Sequence, residues 1–150
     1  MSYTKNQDLL DELNESVDLL RSEQNRSRNT ETNGEKKHLI DYFQKREQLI
    51  RNTIENLKQD AKGKSGETFH QIEPSNSPVE TIEENLPAPD GIVDFISWNL
   101  KRQEELACWC ETLSEKEESK KIPDVFGNLA DQLRTLNREL AANTRSIEQK

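Results

Sequence analysis

The chain is expected to be an all-α protein, an antiparallel four-helix bundle made of two helical hairpins joined by a long crossover. Three observations predict it. Gly and Pro number only five each in 150 residues, while Glu, Gln, Leu, Asn, Lys and Arg are abundant, a composition of long amphipathic helices. Apolar residues recur at steps of three and four over four separate stretches, the period of a helix that buries one stripe. The periodicity fails only once for long, between residues 63 and 90. A length of 150 residues is that of a single domain with one continuous core, here spanning residues 1–150.

The first helix is expected from about Thr4 to Thr30, with Leu10, Leu13, Val17, Leu20 and Gln24 on its inner stripe and Leu9 and Leu19 beside it. Thr32, Asn33 and Gly34 supply turn chemistry, and a second helix follows from about Glu35 to Lys62. Its stripe is Ile40, Phe43, Glu47, Ile50, Ile54, Leu57 and Ala61, so one carboxylate stands in the middle of an otherwise apolar seam. Helices of this length reach roughly 40 Å, and a short turn between them makes them antiparallel neighbours.

Gly63, Gly66, Pro74, Pro78, Pro87 and Pro89 forbid a long helix from 63 to 90. Phe69, Ile72, Val79, Ile82 and Leu86 are spaced through that stretch, which predicts a crossover packed on the helices rather than a free linker. The third helix is expected from about Gly91 to Ser119, with Ile92, Ile96, Asn99, Gln103, Leu106, Cys110 and Leu113 inward and Phe95, Trp98 and Trp109 alongside. After a turn over Lys120 to Pro123, a fourth helix from about 122 to 148 carries Phe126, Leu129, Leu133, Leu136, Leu140, Asn143 and Ile147. A single shift of 86 residues carries the first stripe, from Leu10, onto the third, from Ile96, and the second, from Ile40, onto the fourth, from Phe126. The identities barely match, so the repeat is one of pattern: two hairpins of like geometry.

Charge and termini narrow the function classes. A formal net charge of −8 argues against a nucleic-acid partner, which needs a surplus of Lys and Arg on one face. The opening MSYTKNQDLL has no basic stretch ahead of an apolar core, and no apolar run approaches the roughly 18 residues of a membrane span. A cytoplasmic protein without a membrane partner is the expectation. No Gly-rich phosphate loop, Ser-His-Asp set or Cys-His signature is present. The charge runs GEKKH and SEKEESKK are expected to be solvated.

Several segments resemble the ferritin-like and rubrerythrin-like bundles. HLIDYFQKREQLI is similar to their second helix, where a D-Y-L-x-x-x-E-x-x-H pattern is common, and FGNLADQLRTL to their fourth, F-x-x-L-A-x-x-E-x-x-H. ELACWCETLSE fits their third helix, and the resemblance covers about Lys36 to Ala142. It implies a four-helix bundle with a long central connection and, in metal-binding members, a Glu on each of two helices and a Glu-x-x-His on each of the others. Transferred by position, the slots fall on Val17, on Glu47 and Ile50, on Gln103, and on Leu133 and Leu136. One of these keeps a ligand. His38 and His70, the two histidines of the chain, each stand three residues after a Glu, but neither pair is on an inward helix stripe. The expectation is therefore a degenerate member with no metal, no cofactor and no enzymatic role, acting through protein contacts or self-association, with a homodimer as the simplest form.

Four further features have a plain and a sharp reading. Glu47, Asn99 and Gln103 are expected to form a buried polar cluster. It serves either as a device that fixes helix register or as a pocket for a small polar ligand or single cation. A register device predicts that Glu47→Leu is neutral or stabilising. Trp98 and Trp109 lie on one side of the third helix and serve as core or as interface anchors. Tyr42 and Leu49, a heptad apart and off the main seam, are weaker interface positions. Cys108 and Cys110 sit about 200° apart around a helix, so they share no metal and form no mutual disulfide.

Overall fold

The computed structural model describes residues 2–30, 34–61, 69–72, 77–115 and 125–148. Four long helices dominate it: α1 (Asn6–Thr30), α2 (Gly34–Ala61), α4 (Ile92–Glu115) and α5 (Val125–Glu148). A short helix α3 (Pro78–Glu84) lies between α2 and α4, and two four-residue strands, β1 (Ser2–Lys5) and β2 (Phe69–Ile72), complete the described elements. The strands pair antiparallel, Ser2 opposite Ile72 and Lys5 opposite Phe69.

The stripes predicted from spacing meet in one apolar cluster. Leu10, Leu13, Val17 and Leu20 of α1, Ile40, Phe43, Ile50 and Ile54 of α2, Ile96, Leu106 and Leu113 of α4, and Leu129, Leu133, Leu136 and Leu140 of α5 are all buried within it. Each such side chain contributes about 1.5–3 kcal/mol when fully removed from water, so this seam, not helix propensity, holds the helices together.

Polar pairs on the flanks set the directions. Along α1 and α2, Asp11 pairs with Lys58 (2.7 Å), Asp18 with Arg51 (2.7 Å), Arg21 with Gln48 (2.9 Å), Asn25 with Gln44 (2.8 Å) and Arg28 with Asp41 (2.8 Å). One number falls as the other rises, so the two helices run antiparallel. Tyr42 with Asn143 (2.5 Å) and Arg46 with Glu139 give the same relation between α2 and α5. Trp109 meets Phe126 edge-on across α4 and α5, ring centres 6.2 Å apart, and Arg134 bridges to Glu111 and Glu104.

The described part of the crossover lies on α1 and α4. Ser77 caps α3, its Oγ accepting from the Glu80 N–H (3.4 Å) and donating to Glu12 of α1 (2.5 Å), with Pro78 in the first turn. Ile82 is buried. Beyond α3, the Ala88 N–H donates to Glu23 (2.9 Å), Trp98 Nε1 donates to the Asn85 carbonyl (3.0 Å), and Lys36 Nζ donates to the Asp90 carbonyl (2.7 Å). Three helices thus grip one strap.

Several expectations are corrected. Thr4 and Lys5 belong to β1 rather than to the first helix, Gly34 opens α2 rather than lying in a turn, and the crossover holds a strand and a helix. Asn143 is exposed, and Thr144 takes the buried position in its place. Lys36, in the run expected to be solvated, is buried with its ammonium 4.8 Å from the Phe95 ring centre. The turns at Thr32–Asn33 and Lys120–Pro123 and most of SEKEESKK lie outside the described residues.

Candidate functional site

Halfway along the core, α1, α2 and α4 each turn a polar side chain inward. Glu47 of α2 is 6% exposed, and Gln24, Asn99 and Gln103 are at least as deeply buried. Glu47 Oε1 accepts from Gln103 Nε2 (2.5 Å) and from Gln24 Nε2 (3.0 Å). Gln24 Nε2 also donates to Asn99 Oδ1 (2.8 Å), and Asn99 Nδ2 donates to the Phe95 carbonyl (2.8 Å). The three residues predicted as a cluster are therefore brought together, with Asn99 joined to Glu47 through Gln24. Gln24 was visible on the first stripe, but nothing in its spacing names the residues across from it.

Burial pushes the Glu47 carboxyl up to about 7, against the lowering effect of the Gln24 and Gln103 hydrogen bonds and of the Arg21 charge. Neither neighbouring guanidinium neutralises it: Arg46 pairs with Glu139, and Arg102 pairs with Glu105 (2.8 Å). Glu47 Oε2, Gln24 Oε1 and Gln103 Oε1 are buried with no hydrogen-bond partner.

The six positions to which the resemblance assigns metal ligands do converge. Val17, Glu47, Ile50, Gln103, Leu133 and Leu136, together with Leu20 and Leu106, line one space of about 10 Å³ where α1, α2, α4 and α5 meet. The residues present do not fit a metal pair. Val17, Ile50, Leu133 and Leu136 have no lone pair to offer, and two hard cations need several carboxylates to offset their charge. No group of three or more His, Cys, Asp or Glu suited to a metal occurs among the described residues. That space is small, and its open wall is hydrocarbon.

The expected interface residues part company. Trp98 is buried under the crossover, its indole N–H bonded to Asn85 and its ring 5.9 Å from the Arg102 guanidinium carbon. It is a packing anchor and not a surface one. Trp109 is half-buried against Phe126 and borders a surface groove of about 530 Å³ between α3 and α4 with Pro78, Ile82 and Leu106. Tyr42 is half-buried and bonded to Asn143, whereas Leu49 is 55% exposed. Leu49 sits in a groove of about 280 Å³ between α2 and α5 with Arg46, Ile50, Asp131, Leu136 and Glu139. Cys108 is exposed and Cys110 is buried, and burial pushes the Cys110 thiol up to about 12.

No protein-family model matches the chain, and neither a curated protein nor a solved structure is found to be similar to it. No helix among the described residues is long and apolar enough to cross a membrane.

Proposed function

We propose that the chain is a non-enzymatic, ferritin-like four-helix bundle that acts through protein contacts, with a second copy of itself as the partner. The observation that carries the reading is the lining of the central space. Six positions from four helices converge there, as that topology requires, and hydrocarbon stands at four of them. The antiparallel relations of α1 with α2 and of α2 with α5, and the contact of α1 with α4 through Gln24 and Asn99, support the same topology. Chemistry on a metal pair has no seat in such a core, and a fold carries no activity by itself.

The self-contact is placed at the groove between α2 and α5. Leu49 is an exposed apolar residue there, beside Asp131 of α5 and the Arg46–Glu139 pair that joins α2 to α5. A two-fold axis through this face sets α2 of one copy against α5 of the other, with the exposed leucines of the two copies near the axis. Sedimentation equilibrium of the wild type and Leu49→Lys tests it. The wild type is expected to be a dimer and the variant a monomer of unchanged helicity. A wild type that stays monomeric at high concentration overturns the self-association.

A further inference from the structure

The groove between α3 and α4 takes no part in the self-contact between α2 and α5. Its volume, about 530 Å³, falls in the range of small-ligand clefts. Two helices with different attachments form it. On one side α3 is set down on α1 by the Ser77–Glu12 hydrogen bond (2.5 Å), and its end is tied to α4 only where Trp98 donates to the Asn85 carbonyl (3.0 Å). On the other side α4 packs on α5, with Trp109 against Phe126. The space left between the two helices is the groove.

Its wall is divided by chemistry. Every charge in it falls within one turn of α4, from Lys101 to Glu105. Over the following turns Leu106, Trp109 and Thr112 carry none, and α3 contributes the uncharged Pro78, Thr81 and Ile82. Within the charged turn the ions do not all cancel in place. Arg102 is 3% exposed and committed to Glu105 (2.8 Å). Arg134 of α5 is divided between Glu111 and Glu104, the latter 3.5 Å away, so one cation serves two acids. Lys101 is exposed and has no ion pair among the described residues. The remainder is one unmatched cation at Lys101 and one under-matched acid at Glu104. Residues three apart on a helix are neighbours, with about 5–6 Å between their Cβ atoms.

We propose that the groove between α3 and α4 binds a zwitterionic amino acid with a large apolar side chain. The ligand carboxylate pairs with Lys101 and its ammonium with Glu104, while the side chain lies along the half-buried Trp109 toward Pro78. Both ends are required by the wall. A simple acid brings its charge beside Glu104, and a simple amine brings its charge beside Lys101, so each gains one pairing and meets one repulsion. A purely apolar compound covers both ions and pairs neither. The site is separate from the knot around Glu47 and from the self-contact, so its test does not depend on either.

The whole protein, labelled with ¹⁵N, is titrated with L-phenylalanine and followed by NMR. Saturable shifts are expected at the Trp109 indole N–H and at the amides from Lys101 to Thr112, with a midpoint on the order of 1 mM for a ligand this small. Phenethylamine, which lacks the carboxylate, and hydrocinnamate, which lacks the ammonium, are each expected to bind at least about tenfold more weakly. Lys101→Ala changes an exposed residue and should weaken L-phenylalanine by a similar factor, with the spectrum of the unliganded protein otherwise preserved. The proposal is overturned by the absence of saturable shifts in the wild type, or by shifts that map outside the groove. Either analogue binding as tightly as L-phenylalanine also overturns it, as does unchanged affinity in Lys101→Ala.

Discussion

Replacing Glu47 by glutamine isolates the cost of the buried carboxylate. The folded-state carboxyl lies at about 7 against an ordinary value of 4.5. Below pH 4.5 both folded and unfolded chains hold the proton, and this group leaves stability unchanged. Between 4.5 and 7 the unfolded chain releases the proton while the folded chain keeps it, so stability falls as pH rises. Above 7 both are ionised and the loss is constant, about 3 kcal/mol at roughly 1.4 kcal/mol per pH unit. The Glu47→Gln variant has no such loss, and its new amide offers two N–H groups where Gln24 Oε1 and Gln103 Oε1 lack donors. Urea denaturation of both proteins from about pH 4.5 to about pH 8.5 should show a difference near zero at the acid end. It should grow to roughly 3 kcal/mol in favour of the variant at the alkaline end. A difference that is flat with pH, or that favours the wild type at high pH, refutes the reasoning.

Further outcomes follow from the same structure. Glu47→Leu relieves the charge but leaves Gln103 Nε2 without its acceptor, an orphan worth about 1–3 kcal/mol; urea melts should therefore show it near neutral at about pH 8 and destabilised at about pH 5. Glu23→Ala removes the acceptor of the buried Ala88 N–H, which should cost about 1–3 kcal/mol and speed hydrogen exchange at Ala88 before that at Leu106. Unchanged exchange at Ala88 would count against the strap being held by Glu23. In the native protein a thiol reagent should modify Cys108 and spare Cys110, whose thiol is buried and raised to about 12. Two fast-reacting thiols, counted by intact mass, would contradict the packing of α4.

Much of the helical core was legible because the inward stripes are long and uninterrupted. Leu10 to Leu20 and Ile40 to Ile54 need only a period to be placed. The stripe of the last helix fails at its end for a geometric reason. Seven residues make slightly less than two turns, so a strict heptad drifts by about 20° each repeat. By Asn143 the seam has rotated off the core, and Thr144 faces inward instead. The helix α3 carried its own signal, Ser77-Pro78-x-Glu80, a capping residue with proline at the first helical position, which reading the stretch for helix breakers passes over. Lys36 was out of reach, since its burial depends on the Asp90 carbonyl and the Phe95 ring meeting it from distant sequence. The polar knot was half legible. Each member stands on a predicted stripe, but which amide bonds which oxygen is a fact of helices packed side by side.

The most direct measurement is the metal content of the purified protein, taken by elemental analysis for iron, manganese and zinc after growth in metal-rich medium. A core closed by Val17, Ile50, Leu133 and Leu136 around one amide-held acid predicts only traces, far below one ion per chain. A tightly held pair of ions per chain would contradict it.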